Sequence, residues 1–116
     1  DLPLARERQI LSQIESRLSA QMQVERDVEA DLWQGIRLME TEAENLKASN
    51  LLLQAATQSY EIAFGRYKSG VGSILELLAT QTALSNGRSQ LTQAQLTHAH
   101  ARLRLEVASG RILMVR

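Results

Sequence analysis

Arg66-Tyr67-Lys68-Ser69-Gly70-Val71-Gly72-Ser73-Ile74-Leu75-Glu76-Leu77-Leu78 is a stop signal followed at once by a start signal. Glycine suits the left-handed position that closes a helix C-terminus, and two of them stand within three residues here. Ser73 with Glu76 three residues on is the capping-box pattern, in which the hydroxyl takes an orphan backbone N–H and the carboxylate reaches back to the N–H of Ser73. Ile74, Leu75, Leu77 and Leu78 then open an amphipathic run. No other break along the chain is as strong. The sequence therefore reads as two helices joined by one tight turn.

Composition agrees. Aromatic residues are 3% of 116, cysteine is absent, and the single proline is Pro3. Strands and disulfides have little to build on, whereas Ala, Leu, Gln, Glu and Arg favour long helices or coiled coils. Thirteen acidic and thirteen basic side chains are interspersed and cancel. That balance gives no electrostatic ground for binding nucleic acid or an anionic membrane. No run approaches the ~20 apolar residues of a spanning helix, and no leader pattern is visible. The opening Asp1-Leu2-Pro3-Leu4 reads as an entry segment of a piece of a longer protein.

From about Ala5 to Lys68 only Gly35 and Gly65 interrupt good helix formers. Leu11, Ile14 and Leu18, then Val28, Leu32, Met39, Leu46, Leu53, Ala56, Tyr60, Ala63 and Tyr67, recur in steps of three and four, a heptad-like seam. It lapses at Gln21, Glu25, Glu42 and Ser49. Such a helix is about 95 Å long and must lie against other long helices. The second helix is expected over about 74–109, with a seam of Ile74, Leu77, Leu78, Leu84, Leu91, Ala94, His98, Ala101, Leu105 and Ala108. Gly110 is its expected stop, with Arg102, Arg104 and Arg111 as solvated charge near a helix end. The fold class is thus all-α: an antiparallel coiled-coil hairpin with helices at about 5–68 and 74–109 and a tip turn at 69–73. The second helix is about half the length of the first. The distal part of the first, about Leu4 to Trp33, is left with apolar residues that need missing chain or another copy to cover them.

The stretch Tyr60-Glu61-Ile62-Ala63-Phe64-Gly65-Arg66-Tyr67-Lys68-Ser69-Gly70-Val71-Gly72-Ser73-Ile74-Leu75-Glu76-Leu77-Leu78-Ala79-Thr80-Gln81 resembles the tip signature of the TolC family of outer-membrane efflux proteins. The likeness covers about Gln54 to Gly110; earlier residues match only as a long heptad-like helix. The resemblance implies a trimeric channel in the cell outer membrane. This chain, residues 1–116, would be one periplasmic hairpin of its helical tunnel, serving tripartite drug or metal efflux or type I secretion. The implied partners are a periplasmic adaptor and, through it, an inner-membrane transporter. By position, Gly70, Val71, Gly72 and Ser73 would form the adaptor-docking tip, and Tyr67 and Glu76 would face the aperture. Where the best-known member of the family holds an inter-protomer lock with an arginine, this sequence has Gly72, and a second acidic position is Ala79. A lock built on those charges loses its basis here.

Each feature also has a plainer reading. Glu76 serves as a capping-box residue, Tyr67 as a seam residue, and Trp33 as packing at a helix contact. His98 and His100, two apart, point to different sides of a helix and do not chelate a metal. No nucleophile set and no phosphate loop is present, so neither an enzyme nor a cofactor is expected. The alternative function is a cytosolic coiled-coil or spectrin-like interaction module. A three-helix bundle of that kind needs a second reversal, for which Trp33-Gln34-Gly35 is the only candidate. An adaptor hairpin ranks lower, because the expected Arg-then-Leu docking signature does not occur between Arg66 and Gly70.

Overall fold

The computed structural model describes residues 2–115; Asp1 and Arg116 lie outside the described residues. Helix α1 runs Leu2–Lys68 and helix α2 runs Ile74–Val115, with the single reversal between them. The molecule is a rod of 102 × 21 × 13 Å. The 67 residues of α1 account for that length at about 1.5 Å each. Among the described residues no helix is long and apolar enough to cross a membrane.

α1 passes straight through Trp33 and Gly35, so the reversal that a three-helix bundle requires is not made there. Gly35 is instead a seam residue. A Cβ built on it would lie 3.4 Å from Leu105 Cδ1, so the leucine of α2 rests on the bare backbone. Gly87 receives Leu53 in the same way, at 3.7 Å. Both contacts belong to one antiparallel register. That register sets Leu32 opposite Ala108, Met39 opposite Ala101, Leu46 opposite Ala94, Ala56 opposite Leu84 and Ala63 opposite Leu77. A large side chain meets a small one at each level. This matching lets the axes approach closely without voids. It also explains why the buried set consists mostly of small residues: Ala56, Ala63, Ala94, Ala101 and Ala108, with Val28 and Leu84.

The seam departs from the sequence expectation in four ways. Glu42 and Ser49, where the apolar pattern lapses, are half-buried seam members, and the register places Glu42 level with the half-buried His98. Ile74 and Leu78 are exposed, whereas Thr80 and Gly87, absent from the expected seam, take places in it. α2 does not stop at Gly110 but continues to Val115, carrying Ile112 onto Val28 in a pocket with Glu25 and Glu29. A lone glycine in a helix costs about 1 kcal/mol, which two more seam contacts offset. Arg111 is therefore not at the end of the helix, although it remains exposed as expected. Its Nη1 donates to Asp31 Oδ2 of α1 at 3.0 Å, a half-exposed pair that contributes little to stability. Nor does Trp33 pack at the helix contact, being 60% exposed. The uncovered part of α1 is accordingly shorter than the sequence suggests, ending near Val24 rather than Trp33.

A Cβ added at Gly65 would have nothing within 4 Å, and one added at Gly87 would meet only ordinary contacts. Alanine at either site is expected to raise stability by about 1 kcal/mol through helix propensity alone. Thermal unfolding followed by circular dichroism checks it. A fall in melting temperature at Gly87 would mean that the helices are closer than the structure places them.

Candidate functional site: the hairpin tip

The tip is built by backbone hydrogen bonds around one carbonyl. Gly70, at φ 81°, sits in the left-handed region just past the end of α1. Its N–H donates to the Tyr67 carbonyl at 3.1 Å, and the Val71 N–H donates to the Arg66 carbonyl at 3.0 Å. These two bonds are the Schellman pair that satisfies the last carbonyls of a helix. The Arg66 carbonyl also accepts from the Gly72 N–H at 2.9 Å and from Ser69 Oγ at 3.0 Å. A Cβ at Gly72 would stand 2.9 Å from Arg66 Cβ and 3.2 Å from Arg66 C and Tyr67 N. The two glycines thus answer to different needs: Gly70 supplies a dihedral angle and Gly72 supplies room.

α2 then starts on Ser73, whose Oγ accepts the Glu76 N–H at 3.1 Å. Only this half of the capping box forms among the described residues. The Glu76 carboxylate turns instead toward Arg66, with Oε2 3.8 Å from Nε. Both side chains are about half exposed, so the pair contributes little to stability. The carboxylate stands open at the tip beside an arginine of the neighbouring helix. Ser73→Ala is expected to cost about 1 kcal/mol, measured by urea unfolding; no loss would mean the hydroxyl does not cap.

Val71 is the apex. A Schellman motif commonly packs the apolar residue at this position back onto its helix. Here the position it would cover is Arg66, and Val71 projects with 70% of its surface exposed. Tyr67 is likewise exposed, at 44%, rather than packed in the seam. The structure therefore brings Tyr67, Gly70, Val71, Gly72, Ser73 and Glu76 together at one end of the rod. Sequence reasoning missed the stack above them. Tyr60 and Phe64 rings lie 6.0 Å apart at 17°, and Lys68 Nζ sits 5.3 Å from the Phe64 ring centre. The spacing of four residues between each pair was the available signal.

No family model, curated protein or solved structure matches this chain.

Behind the tip, the two outward faces of the hairpin differ. On α1 the face opposite the seam carries Arg37, Glu40, Glu44, Lys47, Glu61 and Lys68, all exposed. On α2 the corresponding face bears one charged residue, Glu106. It is lined instead by Leu75, Leu78, Leu96, Leu103, Val107 and Met114, all exposed, with Thr82, Ser85, Ser89 and Thr92 between them. A two-stranded coil alone in water places its charges on both outward faces.

Proposed function

We propose that the chain is a wall element of a periplasmic conduit, a helical hairpin of a TolC-like outer-membrane channel whose tip docks an adaptor protein. The observation that carries this reading is the pairing of a rigid, outward-pointing apolar apex at Val71 with an uncharged outer face along α2. The first offers a contact at the end of the rod. The second suits α2 to lie beside further helices while the charged face of α1 stays wet. The resemblance of residues 54–110 to the family's tip hairpin supports the same assignment. In this reading the protein conducts and does no chemistry. Helices at the tip hold the aperture closed, and docking shifts them toward an open arrangement. Tyr67 and Glu76 line the aperture, and three copies surround it in the parent channel. A cytosolic scaffold built as a three-helix bundle lacks support, because α1 does not fold back at Gly35.

The test is site-directed disulfide cross-linking between the chain and helical hairpins of periplasmic adaptors. Val71→Cys is expected to cross-link at the adaptor loop, while a cysteine at Leu51, on the charged side of α1, is not. Equal yields at both positions, or none at Val71 across a panel of adaptors, would remove the docking assignment.

A further inference from the structure

The two flanks of the hairpin tip carry different chemistry. Residues standing just before a seam position line one flank, as Arg66 does before Tyr67 and Glu76 before Leu77. Arg66 and Glu76 pair there across the helices, and Asp31 and Arg111 pair on the same flank farther down the rod. Residues just after a seam position line the other flank, as Phe64 does after Ala63 and Ile74 after Ser73. That side is apolar. Phe64, Tyr67, Val71, Ile74, Leu75 and Leu78 are between 42% and 75% exposed. All six lie within two helical turns of the apex, about 11 Å along the rod. Together they expose on the order of several hundred Å², the size of patch that marks an interaction site. Thr57 and Gln81 end the patch on the stem side. Lys68 stands at its edge, with Nζ 5.3 Å from the Phe64 ring centre. Among the described residues Lys68 forms no ion pair.

We infer, granting that the tip docks a periplasmic adaptor, that the adaptor seats on the Phe64–Ile74 flank and not on the Arg66–Glu76 flank. The segment that seats there presents an aliphatic helical ridge with a carboxylate beside it. Charge complementarity selects this occupant. Covering the apolar flank removes hydrocarbon from water and leaves one group to satisfy, the Lys68 ammonium. The Phe64 ring takes one side of that cation and leaves its N–H donors for an incoming acceptor. A carboxylate set there makes a charge-assisted hydrogen bond and neutralises the edge of the patch. Covering the other flank would strip water from the Arg66–Glu76 pair with little apolar area in return. An anionic lipid surface fits the patch less well. Attraction to such a surface takes a cluster of basic residues, and Lys68 stands in a tip that also carries Glu61 and Glu76.

The probe is the adaptor hairpin that Val71→Cys captures from the panel, used against the intact chain. Leu78→Cys is expected to cross-link to it several-fold more than Ala79→Cys, which lies at the same height but toward the Glu76 flank. Titration calorimetry with the same hairpin reads the charge. Lys68→Glu should weaken binding about tenfold, because an attraction at the edge of the patch becomes a repulsion. Lys68→Arg should stay within about twofold, since the charge is kept, and Lys47→Glu, the same reversal on the stem, should change nothing. Equal or greater yield at Ala79→Cys, or unchanged or tighter binding by Lys68→Glu, overturns the inference while the capture at Val71→Cys leaves the docking assignment standing. Capture of no hairpin at Val71→Cys removes both. Sedimentation of the chain with phosphatidylglycerol vesicles, lost in Leu75→Ser, would give the patch to a lipid surface and overturn the inference as well.

Discussion

Leu84→Ala is expected to cost about 3 kcal/mol of stability, the largest loss available from a single seam position. Leu84 is 6% exposed and is the one buried leucine among the described residues, since the buried positions are otherwise glycine, alanine and Val28. It stands opposite Ala56, so truncation leaves alanine facing alanine. Helices held at fixed separation by Gly87 above and Ala63 below cannot close that gap, and the cavity term adds to the lost transfer free energy. For a chain of this size the melting temperature should fall by more than about 10 °C. Leu75→Ala is the control. Leu75 is 75% exposed, and its loss should stay within about 0.5 kcal/mol. Urea unfolding of both variants decides it; equal effects would mean that the seam is not where the stability resides.

Gly72→Ala is the second large effect, about 2 kcal/mol. The added methyl meets the backbone of Arg66 and Tyr67, which cannot rotate away as a side chain could. The carbonyl of Arg66 must move, and the bonds it accepts from Val71 and Gly72 lengthen with it. Gly70→Ala fails for another reason, having space but the wrong dihedral, and should cost about 1 kcal/mol. If the two variants proved equal, the crowding at Gly72 would be absent in solution. Gly72→Ala should also disturb adaptor cross-linking through Val71 more than its stability loss accounts for, because the apex is displaced.

Much of the fold was legible in the residues. Adjacent signals at 69–73 fixed the reversal, because a left-handed glycine and a serine cap are local needs, met by neighbouring atoms whatever the rest of the chain does. The heptad steps fixed an antiparallel seam for the same reason: periodicity is a property of one helix. The six tip residues were also legible as a group, since a tight turn must bring them together. Glu42 and Ser49 were misread as lapses because hydrophobicity alone defined the seam. Gly110 was misread as a stop because the end of a helix depends on the residues beyond it, and Ile112 and Val115 find partners only across the hairpin. Where Glu76 points was likewise beyond the sequence, since Arg66 competes for it from the other helix.

The sequence alone determined two helices, one hinge and its chemistry. Tertiary structure alone decided which small residue receives which large one, how far α2 reaches, and so which stretch of α1 remains bare. Those outcomes depend on the distance between two backbones, at which Leu105 packs on Gly35 and Leu53 on Gly87, residues far apart along the chain.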